Sequence, residues 1–421
     1  MHILFIHDNF PAQFGHLAAE LVRRHGDRCT FLTGRANAQH PEFEVISYRQ
    51  RGGATEKTHY CSRTFENQTW QMEAVYRAVV DRADLRPDVI VGHSGLGPTL
   101  WLREHFDCPI VCFFEYYYST RGADLDFRPD FPSSTENRLR AMNRNAFLLL
   151  DLENSTLGYS PTEWQRQRFP SRYRDKIRTI FDGIDCQLWQ PMSRSPRRIG
   201  ERVIPDDVPV LTYATRGMES MRGFDIFMKV AKRLMDRMPS LQVLIAGQDR
   251  AAYGNDARHT GMASFKDWVL SQDNYDRSRI HFLGLIPPRE LAQLFSITDL
   301  HIYLTIPFVL SWSLLNALAC GATVLASATA PVQEIIRHGE NGLLADFFDV
   351  DGLTEQAWNV LQSPERYRHL GEAGRQLVQS HYSIDVCLPK FRALLTDAIH
   401  LHHAGRAASD SGSIRASNAN F

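Results

Sequence analysis

Arg216 and Arg222 stand six positions apart in "TRGMESMRGFD", one just after an apolar run and one just before an amphipathic stretch. A guanidinium is planar, permanently charged and able to bind bidentately, so two of them around one turn suit a diphosphate. Two solvated surface arginines would read the same. Further on, "PFVLSWSLLNALACGATVLAS" (307–327) reads as a loop, a helix to about Cys320, a small-residue turn and a strand. Ser311, Trp312 and Ser313 open that helix. Unpaired backbone N–H groups and the helix dipole favour phosphate at such an end, although a serine-capped helix needs no ligand to explain it. In "HFLGLIPPRELAQLF", Gly284 permits close approach of a ligand to backbone, and a nucleotide base could rest at Leu285–Ile286. In the first half, His93 ends "DVIVGH" and Glu115 ends "PIVCFFE". Each follows an apolar run, His93 as a candidate site group, although a lone histidine after a strand is more often structural.

All of these positions follow apolar runs, and those runs decide what could bring them together. The first half reads as strands at 2–7, 29–34, 43–48, 88–93, 109–115 and 155–160, with helices from Pro11 and over 66–84 and 136–150. Pro11 fits the first turn of its helix. The second half restarts with strands at 208–217, 241–247, 279–286, 300–305 and 322–327 and helices at 224–237, 288–297, 313–320 and 331–338. Continuous apolar strands alternating with helices imply parallel sheets covered on both faces. The stretch 181–207, rich in Pro, Arg and Gly, reads as the linker and hinge. Ligands of open α/β sheets bind outside the carboxyl ends of the strands. Two doubly wound domains would therefore place the loops just named around one cleft.

Composition narrows the class. The chain has 421 residues, 43% of them hydrophobic, and a formal net charge of −1. A nucleic-acid binder usually carries a basic excess. The seven cysteines are scattered and show no metal-ligand spacing, so they are expected reduced and mostly buried, in a cytoplasmic protein. The first strand is followed by "HDNFPAQFG" rather than G-x-G-x-x-G, which excludes a nicotinamide dehydrogenase of the usual kind. No Asp-x-Asp pair follows a strand among the cleft-facing loops, so no metal is implied. The basic run 166–178 holds six Lys or Arg against one Asp. It suits a solvated helix and loop, or peripheral contact with the inner face of the plasma membrane. The last nineteen residues are small and polar and read as a disordered tail.

Taken together, the motifs resemble the retaining GT-B glycosyltransferases of glycosyltransferase family 4, the group 1 type. Arg216 matches that family's G-R, and Arg222 takes the place of its lysine six residues on. "FVLSWSLLNALACGATVLAS" aligns without a gap with its Glu-x7-Glu segment, Phe308 standing at the first glutamate and Asn316 at the second. "APVQEIIRHGENGLLAD" is similar to its P-E-V-V-x-x-G-x-N-G-L-L, with Glu334 in register, and "FDGIDCQLW" to its junction motif. "HDNFPAQFGHLAAEL" and "FFEYYYSTRGAD" resemble a bacterial branch that opens N-F-P-x-Q-F, with Asn9, Gln13, Phe14 and Gly15 in the acceptor-side loop. Where the wider family often has a histidine after the strand 109–114, this chain has Glu115.

The resemblance implies an α/β GT-B fold: two Rossmann-like doubly wound domains facing across a cleft. Residues 1–190 would form the acceptor-side domain and 191–384 the donor domain. Helix 385–402 would return to the first domain, and 403–421 would form the tail. It implies a metal-independent transfer from a nucleotide-diphosphate sugar to a glycan or lipid-linked acceptor, in bacterial polysaccharide or glycoconjugate synthesis, with no further cofactor and no nucleic acid. Arg216, Arg222, Glu115 and His93 would be catalytic. Gly284, Leu285, Ile286, Phe308, Ser311, Trp312, Ser313, Asn316 and Glu334 would hold the donor. Phe308 cannot accept a hydrogen bond, so the alternative is a non-catalytic relative that acts as a binding partner or scaffold.

Overall fold

The computed structural model describes residues 1–417, and the side chains of the terminal helix up to residue 407. The chain divides into two compact units. Residues 1–120, 134–183 and those from Cys387 on form the first; residues 121–133 and 184–386 form the second. The units meet along the sequence at 183/184, not at 190/191. The segment 121–133, from within the first half, belongs to the second unit.

The first unit is built on seven parallel strands: β1 (His2–Ile6), β2 (Arg28–Thr33), β3 (Glu44–Ser47), β4 (Val89–His93), β5 (Ile110–Phe113), β6 (Leu157–Ser160) and β7 (Ile177–Thr179). Their order is β3-β2-β1-β4-β5-β6-β7. The central strands carry unbroken apolar runs, as parallel strands buried on both faces must. Strand order reverses between β1 and β4, so the crevice for a ligand lies where His7 and His93 end those strands. The first helix begins at Gly15, not at Pro11; the Pro11 carbonyl accepts the Gly15 N–H at 2.8 Å and residues 11–14 form a loop. β7 was not expected, being three residues long inside the basic run 166–178.

Residues from Cys387 on close this unit. Leu388, Phe391, Leu394, Leu395 and Ala398 recur at helical spacing and are buried. Phe391 stacks on Phe5 at 6.4 Å and meets Tyr159 edge-on at 5.3 Å. The helix Ile384–Ser417 does not stop at 402. Residues 403–417, read from their small polar composition as a tail, continue it, and residues 418–421 lie outside the described residues. Alanines there favour helix more than a polar count suggests.

The second unit contains an antiparallel pair, β8 (Arg197–Ile199) and β9 (Arg202–Ile204), inside the stretch read as linker. Its main sheet is β10 (Val210–Gly217), β11 (Gln242–Gln248), β12 (Ile280–Gly284), β13 (Leu300–Tyr303), β14 (Val324–Ser327) and β15 (Leu343–Ala345). All six are parallel, in the order β12-β11-β10-β13-β14-β15. This is the same doubly wound plan, with its switch point between β10 and β13. The expected helix at 331–338 is a single turn, Ala330–Gln333. Helix Phe224–Arg237 buries Phe224, Phe227, Val230, Ala231 and Leu234 on the face expected from their spacing.

Candidate functional site

Three loops of the second unit follow β10, β11 and β13 and are tied to one another. Arg216 lies at the end of β10. It is exposed and makes no hydrogen bond or ion pair among the described residues. Arg222 does not share that position. It is buried, and its guanidinium donates to Thr305 Oγ1 at 2.6 Å and to the Val309 carbonyl at 3.2 Å from both terminal nitrogens. The two arginines expected side by side at a ligand therefore divide the work: Arg216 faces outward, and Arg222 fastens the loop after β13. The turn explains the difference. Gly223 is left-handed at φ +63°, and a Cβ there would stand 2.8 Å from Leu304 Cβ. That close approach carries the Arg222 side chain inward.

The loop after β13 is held from other sides too. The Ile306 N–H donates to the Met221 carbonyl at 3.1 Å, and the Thr305 N–H donates to Ser327 Oγ at 3.0 Å. Ser311 caps helix Trp312–Ala319: its Oγ accepts the Ser313 N–H at 3.3 Å, and its own N–H donates to the Tyr303 hydroxyl at 3.0 Å. Trp312 opens the helix, and Asn316 lies within it with Oδ1 buried and without a hydrogen-bond partner among the described residues. A buried acceptor left open is costly unless something supplies a donor. Gly284 ends β12 at φ +68° with open space where a Cβ would stand. Leu285 beside it is 77% exposed and Ile286 half-buried. Phe308 is half-buried against the core of this unit, its ring 5.4 Å from that of Tyr253. Glu334 is exposed at the end of the single-turn helix.

Glu219 went unnoticed in the sequence, and it is the carboxylate closest to the arginine turn in function. It is fully buried, and its Oε2 accepts the N–H groups of Ala252, Tyr253 and Gly254 at 3.0, 3.0 and 2.9 Å. Burial raises its pKa despite those bonds and the nearby Arg222 charge. Asp256 answers from the opposite side, accepting from the Ser220 N–H at 2.8 Å and its hydroxyl at 2.6 Å.

In the first unit, β4 and β5 set His93 opposite Phe113, two residues before Glu115. His93 Nδ1 meets the Ser94 carbonyl at 3.0 Å, and a carbonyl can only accept, so Nδ1 carries the proton. His93 Nε2 lies 3.4 Å from Glu115 Oε2. His7 stands 5.0 Å away, ring edge to ring face, and accepts the Asn9 N–H on Nδ1 at 2.9 Å. Burial and the His93 charge lower the His7 pKa. Gln13 donates to Glu115 Oε1 at 3.2 Å. Of the expected acceptor-side loop, then, Asn9 and Gln13 reach these groups. Phe14 is fully buried as a core residue, packing on Phe5 and Phe113 and meeting the His7 ring edge-on at 5.9 Å. Gly15 starts the helix, where a Cβ would collide with Pro11.

Behind His93, the Ser94 hydroxyl donates to Asp151 Oδ2 at 2.6 Å, and burial pushes the Asp151 carboxyl up to about 7. Below about pH 4 both folded and unfolded states hold this proton; above it the unfolded state releases it and the folded state does not until about pH 7. Folding stability is therefore lost as pH rises through that window. Asp151→Asn should lose less stability between pH 4 and pH 8 than the parent, by at least about 1 kcal/mol. Denaturant melts at the two pH values measure it, and parallel losses would refute it.

The basic run turns largely inward. Arg166 donates to the carbonyls of Ile177 and Arg174, Arg174 to those of Phe169 and Gln167, and Lys176 to that of Ser155. No helix among the described residues is long and apolar enough to cross a membrane. No disulfide joins any of the seven cysteines. A cavity of about 640 Å³ opens elsewhere in the second unit, beside Pro209, Ser240 and Asp299 at the amino ends of β10, β11 and β13. Its Arg194 and Arg197 are committed to Asp299, and it lies at the wrong end of the sheet for the ligand of a doubly wound fold.

The chain is similar to known proteins in both halves. Residues 25–189 match a family model described as glycosyl transferase family 4 group, and residues 197–377 one described as glycosyl transferases group 1. An N-acetyl-alpha-D-glucosaminyl L-malate synthase of Bacillus anthracis is 27% identical over 31% of this chain and 34% of its own. The chain thus spans about a third of that relative's length. A D-inositol 3-phosphate glycosyltransferase of Corynebacterium aurimucosum is 24% identical over 76% of this chain and 75% of its own. Among solved structures, a sucrose-phosphate synthase of Thermosynechococcus elongatus superposes with a TM-score of 0.70 at 20% identity, over 97% of this chain and 99% of that one. Anabaena HepE in complex with UDP-glucose gives 0.67 at 13% identity, over 94% and 100%. These neighbours share the GT-B fold.

Proposed function

We propose, for a chain that belongs to the group 1 glycosyl transferases, the transfer of a sugar from a nucleotide-diphosphate sugar to a hydroxyl of a glycan or lipid-linked acceptor, with retention at the anomeric carbon. One observation carries the reading: Arg216 stands exposed and unengaged at the carboxyl end of β10, beside the switch point of the second sheet. A permanent cation without a protein partner, at the end of a strand that pairs with the one preceding helix Trp312–Ala319, suits a diphosphate. Neighbours bound to UDP-glucose and to UDP support a donor of this class.

The chemistry asks little of protein nucleophiles. The bond from the anomeric carbon to the diphosphate oxygen breaks, the acceptor oxygen takes its place and passes its proton to the leaving diphosphate, and negative charge grows on that diphosphate as the bond breaks. Donors already aimed at that charge stabilise it without reorganising during the reaction, often the largest catalytic contribution. Arg216 and the Ser311–Ser313 helix start would supply them. Arg222 would act one step back, holding the loop that carries that helix. Gly284, Leu285 and Ile286 would take the base, and Asn316 Oδ1 a ribose hydroxyl. His93 and Glu115, with Gln13 and Asn9 alongside, would meet the acceptor. No metal or further cofactor enters this scheme. The acceptor belongs, on this reading, to bacterial polysaccharide or glycoconjugate synthesis on the cytoplasmic side.

The test is a melting-temperature panel with UDP-glucose, UDP-N-acetylglucosamine, UDP-galactose, GDP-mannose and dTDP-rhamnose. At one hundred times Kd a ligand specific to the folded state adds about 2.7 kcal/mol, several degrees of melting temperature for a protein of this size. At least one donor should give that shift and be turned over. A shift without hydrolysis or transfer would instead favour the non-catalytic relative, and no shift with any donor would end the proposal.

A further inference from the structure

In the second unit Tyr253 forms an aromatic corner with Phe308. Tyr253 comes from the loop after β11, yet its ring touches residues that follow β10 and β13. Arg222 Cζ lies 5.1 Å from the Tyr253 ring centroid, and the Phe308 ring meets it at 5.4 Å and 63°. Tyr253 nevertheless remains 42% exposed, and Phe308 is half-buried. The Tyr253 ring thus stays partly open to a ligand immediately beside the loop that Arg222 fastens.

The position of Tyr253 is imposed, not incidental. Glu219, fully buried and bonded to no lysine or arginine among the described residues, spends one oxygen on three consecutive backbone N–H groups, those of Ala252, Tyr253 and Gly254. Asp256 adds two bonds to Ser220. Five hydrogen bonds thus lock the loop after β11 onto the turn after β10. Burying a carboxylate costs several kcal/mol unless it is bonded. The other oxygen, Oε1, is buried without a partner. A solvent-facing asparagine or serine could tie a loop at lower cost, so the clamp serves placement.

We propose that the carbon face of the donor sugar rests on Tyr253, with Phe308 closing the corner, and that Glu219 is the positioning residue that holds Tyr253 there. This rests on the nucleotide-sugar reading above and specifies its sugar subsite. Chemistry selects the sugar over the donor's other parts. A diphosphate has no apolar face to lay on a ring. A base has one, but the exposed Leu285 platform after β12 is available to it. A pyranose presents C–H groups on one face and hydroxyls at its rim, and an aromatic ring next to a cation matches the first while leaving the second to polar neighbours. Phe308, which offers no hydrogen bond, then becomes part of a stacking surface and not a missing contact.

The experiment titrates the full chain calorimetrically with the donor that shifts melting most in the panel, and separately with its nucleoside diphosphate. In Tyr253→Ala the donor should bind about fivefold to tenfold more weakly, while the nucleoside diphosphate stays within about twofold. Tyr253→Phe should keep the parent's ratio of the two affinities. Glu219→Gln should lower that ratio as well, which a purely structural bond would not do, since lost stability weakens both ligands alike. Equal weakening of both ligands in Tyr253→Ala would assign the ring to the base and overturn the proposal. So would an unchanged ratio in Tyr253→Ala. If the parent binds no donor at all, the nucleotide-sugar reading fails, and this inference with it.

Discussion

Arg216→Ala is expected to lower kcat about 10²- to 10³-fold with the best donor, while the melting temperature of the unliganded protein stays unchanged. Both halves follow from one fact: Arg216 is exposed and engages no other described residue, so the fold gains nothing from it. Removing one preorganised donor from a developing oxyanion typically costs about 2.7–4 kcal/mol, the size of that rate loss. Arg216→Lys keeps charge but loses the planar fork, and should fall between parent and alanine. Nucleoside diphosphate affinity should drop in the same order, read by calorimetry. Unchanged turnover in Arg216→Ala would move the diphosphate site away from β10. A simultaneous fall in melting temperature would mean that Arg216 holds the fold together instead.

The second large effect concerns stability. Asp225→Ala should destabilise the second unit by about 3–5 kcal/mol. Arg128, on the segment 121–133, is almost fully buried, with side-chain exposures of 3% and 5% for it and Asp225. Its guanidinium donates to Asp225 Oδ2 at 2.7 Å and Oδ1 at 3.2 Å, and to the Ser220 carbonyl at 2.9 Å. Truncating the aspartate strands a buried cation whose remaining acidic partner, Asp130, is half exposed. Arg128→Met combined with Asp225→Leu should recover most of the loss, because no unpaired charge remains. Denaturant melts read the energies. Trypsin cleavage after Arg121 should accelerate in Asp225→Ala alone. A loss under about 1 kcal/mol would show that the pair is solvated in solution.

These two residues also mark what the sequence disclosed. The place of Arg216 at a strand end was legible because it shows in one dimension as an apolar run and its break, whereas the switch point beside it shows only in the strand order. Helices 224–237 and 288–297 were legible to the residue because their apolar spacing and starting residues agree. Arg222 was legible as a charge but not as a direction, since its inward turn depends on Gly223 lying against Leu304. Glu219 was hidden for a different reason. Between Met218 and Ser220 a glutamate looks solvated, and only backbone N–H groups more than thirty residues on disclose otherwise. The segment 121–133 was hidden by distance: its partner Asp225 lies 97 positions away. The three-residue strands β7 and β15 are too short to show a period.

The path of the chain has a consequence for how such proteins can be recombined. Residues 121–133 are coded within the first half but complete the second unit, where Phe127 and Phe131 pack on its core. Residues from Cys387 on are coded after the second unit but complete the first. No single crossover point yields two whole parts. A chimaera that takes its second half from a relative by joining near residue 184 would inherit a foreign socket for Arg128 and a foreign helix against Phe5 and Tyr159. The second unit is transplantable only as a two-piece graft, with 121–133 travelling alongside 184–386 and the terminal helix staying behind.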